Sequence, residues 1–284
     1  MKRIFLALMV LVCCLPTMAQ EVETSKRGVA LATEYKIVVE ARRSSMNFSE
    51  IDVEGAIRLV VESRTTGNII VRAPQSLIPY ISLTVSGGEL KAKILAGAPA
   101  SRRSNIVAEV YIPYNGRINN ISTSAAAQVV VEPTISCNEL ELNATSASVI
   151  EVSAGTQEAS IEASGASQIR ATLAADELDA EFSGASTATL SGQVKDADIE
   201  VSGASTLRAD KLRAANIDIE CSGASKASVL GINCSTKSYG ASKVVVESLA
   251  ILNASASGAS TIVYSGECQV NILRNSGASS IYKK

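Results

Sequence analysis

The chain has 284 residues, 46% of them apolar but only 4% aromatic, with no Trp and no His. That length allows one large or two small domains, and an interior filled by Ala, Val, Ile, Leu and Ser suits a thin, regular core better than a wide globular one. The lack of His excludes Ser-His-Asp and Cys-His nucleophiles and removes the commonest zinc ligand, while a net charge of −2 argues against nucleic acid as a partner.

Residues 1–19 read as a secretory signal peptide. Lys2 and Arg3 form a positive n-region, "IFLALMVLVCCL" is an apolar h-region, and "TMA" precedes Gln20 as a small-residue cleavage site. The run is too short for an ordinary membrane span. Lipidation would need Cys13 or Cys14, and the residues before them are poor for that processing. Cleavage leaves 24 bases against 28 acids and an oxidising destination. Residues 20–36 read as a flexible lead.

From 37 to 120 the strand-like runs "IVVEA", "AIRLVVES", "NIIVRAP", "ISLTV", "LKAKIL" and "IVAEVYIP" predict a β-rich cap. Within it, Gly87-Gly88 sits between alternating runs, which is a hairpin signature. The cap is expected to cover the N-terminal end of the repetitive region beyond residue 120, since a bare stacked edge invites aggregation.

From 121 to 284 the chain repeats itself. The Gly of "GAS" falls at Gly165, Gly184, Gly203, Gly223, Gly240, Gly258 and Gly277. Weaker copies, "SAAA" and "TSAS", precede them. Taking the Ala as position zero gives nine turns, at Ala126, Ala147, Ala166, Ala185, Ala204, Ala224, Ala241, Ala259 and Ala278. Three, five and seven residues before each Ala the side chains are mostly apolar or small, as in Val201, Ile199 and Ala197. Three and five after it they are apolar again, as in Leu207 and Ala209. Alternation of period two on both sides of a Gly turn signals strands. A unit of about 19 residues is too short for a βαβ crossover with its helix. The expected fold is therefore all-β, a right-handed parallel β-helix of nine coils behind an N-terminal cap.

These residues are familiar together. "NFSEIDVEGAIRLVV", then "LTVSGGELKAKI", then the repeated "SGAS" resemble the bacterial head GIN domain family of auto-transporter adhesins, many of them from Bacteroidetes. The resemblance runs over roughly residues 46–284. It implies a solenoid similar to pectin-lyase folds, no established enzyme activity, and a role in adhesion. An autotransporter would also carry an anchor of alternating strands with aromatic girdles. No such segment follows Ser280, so the expectation is a secreted or periplasmic protein, or one held at the surface by a partner.

The repeated Gly residues are expected to serve the turn, by positive φ or by close coil packing. The Ser after each Ala (Ser148, Ser167, Ser186, Ser205, Ser225, Ser242, Ser260 and Ser279) would stack as a hydroxyl ladder. A Ser225–Lys226 nucleophile fails because sequence neighbours on a strand face opposite ways. Four residues before the Ala stand Glu162, Glu181, Glu200 and Glu220; six before it stand Glu141, Asp179, Asp198 and Asp218. Both sets are out of phase with the apolar positions and should face outward as a two-column acidic stripe, ending where the next coil reads Ser235 and Lys237. The plain reading is a solvated face. The sharper readings are Ca²⁺ binding by Glu162, Asp179, Glu181, Asp198, Glu200, Asp218 and Glu220, or a basic partner. Cys137, Cys221, Cys234 and Cys268 are expected to be unpaired, because the offset between Cys221 and Cys234 is about 13 Å along the strand.

The function expected is a non-enzymatic exported scaffold for adhesion or envelope assembly. It needs no cofactor, its partner would be a cell-surface glycan or protein, and pairing with a second copy is open. The alternative is a Ca²⁺-dependent polysaccharide lyase drawing a base from Arg170 or Arg208. Those arginines lie on the other strand of the coil, and sugar-stacking aromatics are scarce: Phe182 and Tyr264 both sit in inward register.

Overall fold

The computed structural model describes residues 37–42, 47–65, 67–99 and 108–284. The expected signal peptide and lead lie outside the described residues. Among the described residues the one helical element is a 3₁₀ turn at Ile78–Tyr80. The N-terminal strands are β1 (Ile37–Arg42), β2 (Glu50–Glu54), β3 (Ile57–Glu62), β4 (Ile69–Pro74), β5 (Ile81–Ser86), β6 (Glu89–Ile94) and β7 (Ala108–Pro113). The early coils comprise β8 (Asn120–Ser124), β9 (Gln128–Ser136), β10 (Glu139–Ala144), β11 (Val149–Gly155) and β12 (Glu158–Ala163). Longer strands then bend around the corner of each coil: β13 (Gln168–Phe182), β14 (Thr187–Val201), β15 (Thr206–Cys221), β16 (Lys226–Ser238) and β17 (Lys243–Gly258). The last coils add β18 (Thr261–Ser265), β19 (Gln269–Gly277) and β20 (Ser280–Lys283).

From β8 onward every ladder is parallel, and each coil pairs with the next in a register set by the repeat. Each coil presents two flanks. One holds β10, β12 and the second halves of β13 to β17; the other holds β9, β11 and the first halves. The protein is a stacked-coil β-solenoid of about nine turns. Inward residues such as Ile161, Ile169, Phe182, Ile199 and Ile219 are fully buried, and the core runs as one column from Phe48 to Ile262. Stacking is what buries them, because a single coil leaves its inner face to water.

The turn explains the repeat. Gly203 has φ of +69°, the left-handed region that L side chains avoid. A Cβ there would also lie 2.5 Å from the carbonyl oxygen of Gly184 one coil below. That carbonyl accepts a 2.7 Å hydrogen bond from the N–H of Ala204. The glycine is thus required twice, for its dihedral and for the closeness of the next backbone. The turns at Ala126 and Ala147 manage without it: Ala125 and Ala126, then Ser146 and Ala147, all take positive φ.

The parallel ladder does not begin at residue 121. β2 pairs in parallel with β8, and β3 with β9, so residues 50–62 already form a coil. Its turn is Gly55-Ala56, with Gly55 at φ +89°. It is a degenerate copy of the repeat in which Ile57 stands where the coils from Ser148 onward have Ser. Stack order also departs from chain order. β6 and β7 pair in parallel with the opposite edges of β2 and β3. The coil that comes later in sequence therefore lies further out, and the chain returns over it to β8. The antiparallel cap proper is smaller than the sequence suggests: β5 on β6, joined by the Gly87-Gly88 hairpin, then β4 on β7 and β1 on β4.

Candidate functional site: an acidic flank

Outward positions recur every second residue along a strand, and parallel in-register pairing stacks them about 4.8 Å apart. Glu162 pairs with Glu181, Glu181 with Glu200, and Glu200 with Glu220. Asp179, Asp198 and Asp218 form the adjoining column, continued through Ser160 to Glu141. The stripe is wider than two columns. Glu139, Glu158, Glu177 and Asp196 are also in register with one another on the same flank. The signal for this third column was present in the sequence, because each of the four lies eight residues before its Ala.

Like charges at one strand spacing repel by about 1 kcal/mol per pair at a water-like dielectric. What offsets this locally is an amide ladder and two lysines. Asn216 Nδ2 donates to Asp196 at 2.6 Å, Asn233 Nδ2 donates to Asn216 Oδ1 at 2.9 Å, and Asn120 Nδ2 donates to Glu141 at 2.6 Å. The Asn216 amide, with help from the Lys195 ammonium, holds the Asp196 carboxyl below its ordinary pKa. Lys237 closes the stripe, its Nζ 3.7 Å from Asp218 and 4.0 Å from Glu220. These pairs are exposed and weak, so rungs 158 to 200 keep most of their negative field.

The lower part of the flank is concave. A depression of about 620 Å³ is lined by Glu50, Asn119, Asn120, Glu139, Glu141, Glu158, Ser160, Glu177 and Asp179, with no Lys or Arg among its walls. The carboxylates stand in columns and not in a cage: among the described residues no group of three or more Asp, Glu, Cys or His is placed to hold a metal ion. The arginines considered as a lyase base are elsewhere. Arg170 pairs with Glu151 on the opposite flank and lines a separate depression with Glu132 and Thr172, and Arg208 lies on that flank too. Acids of the stripe and an Arg base are therefore not brought together.

The repeat serines from Ser148 to Ser260 are buried. Several make the expected bonds: Ser186 Oγ donates to Ser205 Oγ at 3.2 Å, and Ser260 Oγ donates to the Ser238 carbonyl at 2.8 Å. Ser167 Oγ has no hydrogen-bond partner. All four described cysteines are unpaired, with Cys221 and Cys234 inside the core. Burial pushes their thiols up to about 12 and about 11, so neither supplies a thiolate near neutral pH.

Fold and flank together define a β-solenoid whose acidic groups stand in register on one outer flank. The family model described as "Putative auto-transporter adhesin, head GIN domain" matches residues 47–233. The chain belongs to this head GIN domain family. Among curated proteins none matches. Solved structures share the fold at low identity. A "putative adhesin" from Parabacteroides merdae is 14% identical, with a TM-score of 0.67 over 87% of this chain and 96% of that one. A "putative adhesin" from Parabacteroides distasonis is 16% identical, with a TM-score of 0.68 over 88% and 98%. A "putative lipid binding protein" from the same species is 16% identical, with a TM-score of 0.66 over 87% and 96%. No helix among the described residues is long and apolar enough to cross a membrane.

Proposed function

We propose that the protein is a non-enzymatic, exported scaffold of the adhesin type, and that the acidic flank is the face it displays to a cell-surface glycan or protein. The observation that carries this reading is the rung-by-rung register of three carboxylate columns on a rigid sheet. A charge pattern repeated at strand spacing matches an extended partner better than a small substrate. The separation of Arg170 and Arg208 from the carboxylates weighs against the lyase alternative, and membership of an adhesin family agrees with a binding role.

The test is a glycan and extracellular-matrix binding screen with the wild-type chain and the triple variant Glu162→Gln, Glu181→Gln, Glu200→Gln. The wild type should bind at least one ligand, with affinity falling about tenfold or more in the variant and also at high salt. Equal binding by a folded variant would place recognition elsewhere on the molecule.

A further inference from the structure

We infer that the last coils of the solenoid, residues 243–284, form a docking surface for an anionic lipid bilayer. Nine large hydrophobic side chains are exposed among the described residues; none lies between Leu95 and Ile232, and seven lie from Ile232 to Tyr282. Leu273 is the most exposed at 70%, followed by Ile272 at 55% and Leu249 at 53%. Leu273 falls at a break in the ladder, where Ala254 pairs with Ile272 but Ser255 with Arg274. The extra residue therefore bulges out of the sheet.

Charge changes along the same axis. Residues 121–220 hold 16 acids and 5 bases, a balance of −11, whereas residues 221–284 hold 2 acids and 6 bases, a balance of +4. Leu273 and Arg274 stand on β19, Tyr282 and Lys283 follow across the last turn on β20 with Lys284 after them, and Lys243, Leu249 and Ile251 lie on β17, whose two halves pair with β18 and β19.

Exposed Leu, Ile and Tyr interleaved with Lys and Arg is the composition of an interfacial membrane surface. The apolar side chains enter the headgroup boundary and the cations meet anionic lipid. Tyr282 suits the headgroup level, where its ring and hydroxyl can each find their medium. The complementarity also sets an orientation. The same bilayer repels the acidic belt, so the solenoid stands with its last coils down and its stripe and cap away from the lipid. This goes beyond the recognition role of the flank, and it stands or falls independently of it.

The test is co-sedimentation of the purified chain with phosphatidylcholine vesicles, with and without about 30% phosphatidylglycerol, at about 0.1 M and about 0.5 M NaCl. Binding should need phosphatidylglycerol and weaken at the higher salt. Leu249→Asp with Leu273→Asp should reduce it by about tenfold or more, and so should Lys283→Glu with Lys284→Glu. The second pair sits at exposed positions, so it keeps the test valid if the first pair disturbs folding. Glu151→Gln, exposed on the opposite flank of the middle coils, should bind vesicles as well as the wild type. Absence of binding to phosphatidylglycerol vesicles at low salt overturns the inference. Undiminished binding by the folded charge variant overturns it as well. So does a solution dimer that Leu273→Asp dissolves and vesicles do not compete with, since a second copy would then be the occupant.

Discussion

The middle coils and the last coils are built on one backbone and carry opposite surfaces. Between β12 and β15 the outer positions of one flank read Glu and Asp on nearly every rung. From β16 onward the matching positions read Lys237, Ser255 and Arg274, and apolar side chains come to the surface. Inside, little changes. Both regions bury a Ser after the turn, as Ser186 and Ser242 do, and both set the Ala N–H on the Gly carbonyl of the coil below. In a solenoid each coil interacts mainly with its neighbours. The inner positions are therefore bound to the repeat, while the outer ones can diverge coil by coil. Functional variation in this fold is therefore concentrated along the columns of outward residues and at the places where they change character.

The largest expected effect tests whether the two regions do share one scaffold. Gly203→Ala in the middle coils and Gly258→Ala in the last coils should each cost about 3 kcal/mol or more, from a left-handed φ combined with overlap on a backbone carbonyl. The glycine carbonyls concerned lie 2.5 and 2.9 Å from the built Cβ. Urea denaturation should show both variants strongly destabilised. A mild effect at Gly258 alone would mean that the last coils are the looser part of the stack. Gly87, where an added Cβ meets nothing within 4 Å, is the control and should lose only about 1 kcal/mol from its φ.

Core packing comes next. Phe182 is fully buried in the middle coils, and Phe182→Ala should cost about 3–5 kcal/mol. Replacing Val246, buried one coil beyond the apolar switch, with Ala should cost less, about 2 kcal/mol, because a smaller side chain leaves a smaller cavity. A comparable loss at both sites would argue that the core is not uniform in packing along the stack.

Charge gives the smallest effect and the one with opposite signs in the two regions. Glu181→Gln with Glu200→Gln removes repulsion and should stabilise by about 1 kcal/mol at low salt, fading as the Debye length shortens. Lys237→Gln removes the cation that closes the stripe and should destabilise by about 0.5 kcal/mol. Calcium and magnesium at equal ionic strength should raise Tm equally, through screening. A calcium-specific shift lost in the Glu181→Gln, Glu200→Gln variant would show instead that the columns coordinate the ion.

Much of this was legible in the residues. The Gly-Ala turn, the alternation around it and the outward phase of Glu162, Glu181, Glu200 and Glu220 are local, short-period signals, and the structure places them where that period requires. The third column was legible too, at eight residues before each Ala, but it lies beyond the inward positions that define the strand, close to the corner where register breaks. The first coil was hidden because its turn reads Glu54-Gly55-Ala56-Ile57, with neither of the Ser residues that flank most of the later Gly-Ala turns.

Strand period, turn and the inward or outward facing of each side chain follow from the residues alone, because these depend on φ preference and on alternation within a few residues. The folded chain alone reveals that β6 and β7 stack outside β2 and β3, that residues 50–62 already form a coil, and that the large apolar side chains left exposed gather in the last coils. Those outcomes depend on hydrogen bonds between backbones about 19 or more residues apart, and such ladders leave no local pattern that specifies their order.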